Sequence, residues 1–112
     1  MPDDRLATAL YLDAHFFQFQ AEGRPYYILN KGAYASGTIL LKINGIQNGC
    51  RVLQQQRDLD GSLGWMVLFK GQNVAESEAD AYIQRAIDRD PDIWVVEIED
   101  RSLENPFEGK EF

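Results

Sequence analysis

The sequence predicts an α+β fold in which two helices pack on a mainly antiparallel sheet of five or six strands. Several short runs are rich in strand-forming residues, a stretch in the C-terminal half has helical periodicity, and glycine-containing turns separate neighbouring runs. With 112 residues, the chain has the usual length of one domain. We expect residues 1–112 to form a single domain, with loose termini at residues 1–4 and 102–112 except where Phe107 or Phe112 docks on the core.

The first segment of the chain fits two structures. Alternating residues over 5–11 predict a short strand, followed by a helix that Asp13 caps and that ends at Gly23. Gly23 suits the position after a helix, where φ is usually positive. One of the aspartates nearer the N-terminus could equally cap a single long helix reaching Glu22. We favour the strand, and the choice between strand and helix stays open at this point.

Four strands are predicted between the two helices. Strand-forming residues and the turns that flank them place these strands at residues 26–30, 38–43, 50–56 and 65–70. The second and third form a hairpin, with either a wide loop over 44–49 or a tight turn at Asn48-Gly49. Either register puts the alternate apolar residues Ile39, Leu41 and Ile43 on the face of Cys50 and Val52.

A second helix and a last strand complete the predicted order β-α-β-β-β-β-α-β. The helix covers residues 75–89, where apolar residues recur at helical spacing: Ala79, Tyr82, Ile83, Ala86 and Ile87. Asp90-Pro91 ends it, because the residue before a proline avoids the helical conformation. The last strand covers residues 93–99.

Apolar residues lie on both faces of the predicted strands. Trp94 and Val96 share one face of the last strand, and Ile93 and Val95 share the other. In a sheet with one face exposed to solvent, apolar and polar residues would alternate more regularly along each strand. We therefore expect both faces to be covered. Either one helix covers each face, or both helices cover one face and a partner subunit covers the other.

Charge limits the classes of partner. The net charge is −7, which argues against binding nucleic acid or an anionic membrane by bulk charge. Residues 76–112 hold 4 basic and 12 acidic side chains, a balance of −8, so a partner attracted by charge should be basic. The single cysteine and the absence of an apolar run near ~18 residues or a positively charged leader predict a cytoplasmic protein.

The candidate site residues are Arg57, Trp65, Glu97, Glu99 and Asp100. Glu97 and Glu99 share a strand face about 7 Å apart, where paired carboxylates can share a proton, bind a metal or flank a glycosidic bond. A solvated strand end is the more ordinary interpretation. Arg57 and Trp65 flank a polar loop and could line a ligand pocket. The sequence predicts no metal site and no cofactor.

These observations favour a small, non-enzymatic binding or protein-interaction module, with a homodimer as one form. The first alternative is a metal-dependent or carboxylate-using enzyme with Glu97 and Glu99 at its site. The second is an acidic decoy for a basic partner. The lone His15 and Cys50 fit no local catalytic pattern, which favours a binding protein over an enzyme.

The acidic run DPDIWVVEIEDR over residues 90–101 resembles the C-terminal signature of an alphaproteobacterial family catalogued as domain of unknown function 1491. Residues 37–43, 63–65 and 79–83 fit the same pattern, so the resemblance covers most of residues 5–101. It implies a compact bacterial cytoplasmic protein. It implies no activity and no catalytic residue, because none is established for that family.

Overall fold

A five-stranded sheet with one helix on each face forms the molecule, in a computed structural model that describes residues 6–112. The helices are α1 (Thr8–Glu22) and α2 (Glu76–Arg89), and the strands are β1 (Tyr26–Asn30), β2 (Ile39–Asn44), β3 (Cys50–Arg57), β4 (Leu63–Val67) and β5 (Trp94–Glu99). The predicted α+β class, the two helices and the mainly antiparallel sheet are confirmed. From the first helix onward, the elements follow the predicted order.

The strands lie in the order β1-β5-β2-β3-β4. Only the β2–β5 pair is parallel, and the other three pairs are antiparallel. The chain inserts β5 between β1 and β2 after leaving α2. This interior position explains why β5 is apolar on both faces, since a core cluster packs against each face.

The two faces carry separate cores. On the first face, α1 buries Leu12, Phe16 and Phe19 against residues that include Trp94 and Val96. On the second face, α2 buries Ala79, Ile83 and Ala86 against Leu40, Cys50, Val52, Ile93 and Val95. One helix therefore covers each face, which was one of the two predicted alternatives. The other alternative, with both helices on one face, is wrong.

The predicted strand over residues 5–11 is wrong where the structure describes it, because Thr8–Glu22 is one continuous helix. Asp13 lies inside this helix and does not cap it. Buried residues recur at helical spacing from Ala9 to Phe19, and burial of that stripe outweighs the weak local alternation. The helix ends at Glu22, and Gly23 follows with φ 71°, as predicted for its C-terminus.

Carbonyl groups of a distant loop satisfy the start of α1. The amides of Thr8 and Ala9 donate to the carbonyls of Ala35 and Tyr34 at 3.2 and 3.0 Å. No side chain caps the helix at Ala7. The start of α1 therefore could not be predicted from a capping residue. Tertiary contacts supply the hydrogen-bond acceptors that the free amides at a helix start need.

The β2–β3 hairpin has neither of the predicted registers. Leu41 pairs with Leu53, and Asn44 pairs with Cys50, so Cys50 and Val52 lie on the opposite face from Leu41. The five-residue loop between the strands contains a 3-10 turn and places Ile46 at φ 64°. That left-handed conformation is rare for a β-branched residue, which is why the turn signals did not reveal the loop.

Strand β4 ends earlier than predicted. Val67 is its last residue, and Phe69 lies in a 3-10 turn with φ 55°. The left-handed backbone redirects Phe69 to the α2 core, whereas the predicted strand would have kept it on the face of Trp65.

The C-terminal segment is held by more contacts than the docking of Phe107 or Phe112 that was allowed for in an otherwise loose terminus. Phe107 is buried at 4% exposure in the α1 core. The amides of Trp65 and Val67 donate to the carbonyls of Lys110 and Phe112, both at 2.8 Å. The tail therefore lies along the outer edge of β4. The other terminus predicted to be loose, residues 1–4, lies outside the described residues.

Candidate functional site

Lys42 is the only charged side chain buried among residues 6–112, at 2% exposure. It lies in the middle of β2, on the face that α2 covers. Its Nζ donates to Glu76 Oε2 at 2.8 Å and to Asp80 Oδ1 at 2.7 Å, and it lies 3.3 Å from Glu97 Oε1. A buried cation with three carboxylates is the most unusual chemical feature of the described chain, because an unpaired charge is costly to bury.

Three elements bring these groups together. The parallel register of β2 and β5 sets Lys42 beside Glu97. Helix α2 begins at Glu76, and Asp80 follows one turn later on the same side. Asn44 joins the helix to the sheet by donating to Glu76 Oε2 at 3.2 Å and to Glu97 Oε2 at 3.1 Å. We call these five residues the Lys42 cluster.

Electrostatics fixes the protonation of Lys42. Burial acts to lower the pKa of its ammonium group, but hydrogen bonds to Asp80 and Glu76 and the charge of Glu97 raise the pKa above its usual value. The amine is therefore charged at neutral pH and cannot act as a nucleophile. One cation opposes three carboxylates, so the cluster keeps an acidic excess. The side chains of Glu76 and Asp80 are 55% and 53% exposed.

A groove of about 350 Å³ opens beside the cluster, between α2 and β1. Its apolar part is formed by Leu29, Ile83 and Ile87. Gln84 lies on the same wall, and Glu76, Asp80 and Glu97 form the acidic end, with Lys42 among them. We call it the α2–β1 groove. It offers apolar surface and negative charge side by side.

The outer edge of β1 borders this groove and pairs with no strand of the described chain. Tyr27, Ile28 and Leu29 are consecutive apolar residues with exposures of 48%, 47% and 43%. A register shift between Ile28 and Asn30 leaves Leu29 as an extra residue, and its side chain lines the groove. A bulge of this kind redirects a side chain at a sheet edge.

The two sheet edges are therefore different. The β4 edge is occupied by the C-terminal segment, which pairs with Trp65 through Glu111. The β1 edge presents its backbone and three apolar side chains to solvent. Exposed apolar edge strands are templates for another strand, and proteins usually cover or charge them.

The five residues predicted from the sequence do not meet in one place. Glu97 belongs to the Lys42 cluster. Glu99 is the last residue of β5 and lies opposite Asn44 in the register of β5 with β2. Asp100 accepts from the hydroxyl of Ser102 at 2.6 Å and from its amide at 2.9 Å.

Arg57 and Trp65 also lie in different surroundings. Arg57 is exposed at the end of β3 and donates to the Gly61 carbonyl at 2.7 Å. It lines a cleft of about 650 Å³, of mixed polar and apolar surface, that also includes Tyr11. Trp65 is fully buried and donates through Nε1 to the Glu108 carbonyl at 3.1 Å. Trp65 therefore anchors the core and the tail and does not line the Arg57 cleft.

His15 packs against the α1 core and Cys50 lies in the α2 core, so the two side chains do not meet. His15 packs between Tyr11 and Phe107, with ring centroids 4.5 and 4.8 Å away. Cys50 is buried, and burial raises the pKa of its thiol. Within residues 6–112, no group of three or more histidine, cysteine or acidic side chains is arranged to hold a metal ion. No described helix is both long and apolar enough to span a bilayer.

Sequence reasoning identified Glu97 but missed Lys42. The signal was present, because Lys42 interrupts the apolar run Ile39-Leu40-Leu41-Lys42-Ile43 in a strand predicted to be covered on both faces. A lysine at such a position must be paired when it is buried. Its partners on α2 are more than thirty residues away, and only the fold identifies them.

Asp100 provides a test by pH. The Ser102 hydroxyl, the Ser102 amide and Arg24 lower the pKa of its carboxyl group, against the opposing effect of burial. Because the folded pKa is depressed, the stabilisation is present above the unfolded pKa of about 3.9 and is lost as the pH falls through the folded pKa. We expect Asp100→Asn to lower the free energy of unfolding by about 1 kcal/mol at pH 7.

Urea unfolding at pH 7 and at pH 2 measures this effect. The difference between wild type and Asp100→Asn should shrink at pH 2. The control is Asp13→Asn, on the exposed side of α1, which should change little at either pH. A difference for Asp100→Asn that is the same at both pH values would contradict the assignment.

Comparisons with known proteins agree on one family. A crystal structure of a DUF1491 family protein from Caulobacter crescentus CB15 is 29% identical, with a TM-score of 0.84 over 96% of this chain and 100% of that chain. An NMR structure of a DUF1491 family protein from the same organism is 30% identical, with a TM-score of 0.78 over 96% of both chains. A solution structure of an A. tumefaciens protein shares the fold at 22% identity, with a TM-score of 0.69 over 86% of both chains.

None of the curated proteins matches the chain. The family described as "Protein of unknown function (DUF1491)" matches residues 6–108, a span that includes both helices, all five strands and the Lys42 cluster. The resemblance noted in the acidic run of β5 is thereby confirmed, and the chain belongs to the DUF1491 family.

Proposed function

We propose that the protein is a non-enzymatic protein-interaction module that binds an extended segment of a partner along the outer edge of β1. The observation that carries this proposal is the contrast between the two sheet edges. The chain covers β4 with its own C-terminal segment, whereas Tyr27, Ile28 and Leu29 are exposed on β1. A partner strand added there would gain backbone hydrogen bonds and apolar contacts on both faces.

The buried chemistry favours binding over catalysis. Glu97 is held by Lys42 and Asn44, so its carboxylate is already engaged by a cation and an amide. An enzyme that used Glu97 and Glu99 as an acid–base pair would need both carboxylates at one reaction centre, within reach of the same substrate. A cytoplasmic location is part of the proposal, and the single unpaired cysteine supports it.

Selection from a display library of random nonapeptides tests the proposal. We expect peptides to be enriched on the wild-type protein and to perturb the amide NMR signals of β1 most strongly. Ile28→Lys should weaken their binding at least about tenfold, because a lysine on an edge strand opposes the addition of another strand. The thermal midpoint of the variant should stay close to that of wild type, since Ile28 is 47% exposed.

The matched control is Phe17→Lys. Phe17 is 75% exposed on the outer side of α1, and its replacement should leave peptide binding unchanged. Equal binding to wild type and to Ile28→Lys would refute the proposal, as would perturbation of the Arg57 cleft in place of β1. Failure to enrich any peptide would refute it as well.

A second copy of the chain is the alternative occupant of β1. Two copies would each bring a net charge of −7, which opposes their association. Light scattering at micromolar concentration distinguishes the two cases. A dimer that Ile28→Lys converts to a monomer would identify the second copy as the occupant.

A further inference from the structure

We infer that the α2–β1 groove selects an arginine or lysine side chain from the segment bound to β1. This inference rests on the proposed function, since it assigns a side chain to the strand that β1 receives. In a strand, alternate side chains point to the same face. Some side chains of an added strand would therefore project onto the α2 side, where Tyr27 and Leu29 lie beside the groove.

The groove matches the two parts of a long basic side chain. Leu29, Ile83 and Ile87 provide an apolar surface for its methylene groups, and the carboxylates of Glu76 and Asp80 lie at the acidic end. Lysine and arginine bury their aliphatic stems in this way while the charged group stays partly hydrated. An acidic side chain of the partner would meet like charges, and a purely apolar one would leave the carboxylates unused.

The carboxylates retain capacity for another cation. Lys42 engages Glu76 through Oε2 and Asp80 through Oδ1, so the second oxygen of each half-exposed carboxylate is available to an incoming donor. A carboxylate can accept several hydrogen bonds. Glu97, at 12% exposure of its side chain, adds negative charge to the floor of the groove.

Charge also favours a basic partner over other occupants. The groove lies on the acidic part of the chain, where residues 76–112 carry a balance of −8. A small metal ion would need the position that the ammonium group of Lys42 already occupies between the three carboxylates, whereas a long basic side chain can reach the outward oxygens of Glu76 and Asp80. A basic strand reduces the acidic excess without displacing Lys42.

The test uses nonapeptides enriched on the wild-type protein, with each arginine replaced by citrulline, its neutral isostere. We expect the enriched pool to carry arginine or lysine at alternate positions. Replacing one such arginine with citrulline should weaken binding by about two- to fivefold, in the range of a partly exposed ion pair. Added salt should reduce this difference.

Two variants assign the effect to the groove. Asp80→Asn should reduce the preference for arginine over citrulline, whereas Glu78→Gln, a change at an exposed acidic position of the first turn of α2, should preserve it. Gln84→Arg leaves the Lys42 cluster intact and places a cation in the groove one turn from Asp80. It should weaken the binding of the arginine peptide and leave the binding of the citrulline peptide unchanged.

The outcomes separate the two proposals. Peptides that bind at β1 without any preference for arginine or lysine would overturn the groove inference and leave the proposed function intact. Equal effects of Asp80→Asn and Glu78→Gln, with no effect of Gln84→Arg, would also overturn the inference. Failure to enrich any peptide, or a dimer that occupies β1, would overturn the inference together with the peptide-binding form of the proposed function.

Discussion

Lys42→Met should lower the free energy of unfolding by about 3–5 kcal/mol, because removing one partner of a buried ion pair leaves the other charge uncompensated. Methionine fills most of the volume of the lysine stem, so the loss measures the charge and not a cavity. The unpaired charge of Glu97 should account for most of the loss, since its side chain is only 12% exposed. Asn44 would remain as its hydrogen-bond donor. Urea unfolding at pH 7 measures the change.

Two further variants test the cause of that loss. Lys31→Met removes a lysine from an exposed position just after β1 and should change stability by less than about 0.5 kcal/mol. The double variant Lys42→Met/Glu97→Gln should recover part of the loss, because it removes the stranded carboxylate along with the cation. A loss for Lys42→Met no larger than that for Lys31→Met would show that the Lys42 cluster does not stabilise the fold.

Local sequence patterns were sufficient for some elements. The periodicity of α2 and the apolar residues on both faces of β5 predicted those elements to within one residue of their observed bounds. The expectation that both sheet faces are covered followed from the same alternation. These features depend on neighbours in the sequence, which explains why they could be predicted.

Other features depend on contacts that are distant in sequence. The start of α1 is satisfied by the carbonyls of Tyr34 and Ala35, and no nearby residue indicates this. The β2–β3 register depends on the left-handed backbone of Ile46, a conformation that its side chain disfavours. In both cases, tertiary structure overrides the local preference.

The candidate site shows the same division. The acidic run of β5 drew attention to Glu97, but the residues that contact its carboxylate, Lys42 and Asn44, lie in β2. Glu99 shares its strand face with Glu97 but lies closer to the strand end, beside Asn44. The pattern of paired carboxylates therefore identified one member of the Lys42 cluster but not the lysine that contacts it.

Phe107→Ala should lower the free energy of unfolding by about 3–5 kcal/mol, the usual cost of removing a buried phenylalanine side chain. Phe107 packs against Trp65 and Phe19, with ring centroids 5.3 and 5.4 Å away. It is the buried anchor that holds the C-terminal segment on the α1 face. Its loss should also loosen Lys110–Phe112 on β4, although the backbone hydrogen bonds to β4 and the ion pairs of Glu111 with Arg51 and of Lys110 with Asp58 would remain.

Urea unfolding and amide hydrogen exchange measure the two consequences separately. The amides of Trp65 and Val67 donate to the tail, so they should exchange faster in Phe107→Ala than in wild type under conditions where the core stays folded. The control, Phe17→Ala, removes the same side chain from a position that is 75% exposed and should leave both measurements nearly unchanged. If Phe107→Ala proved as mild as Phe17→Ala, the tail would be loose and the β4 edge open. The contrast between the two edges, on which the role of β1 depends, would then disappear.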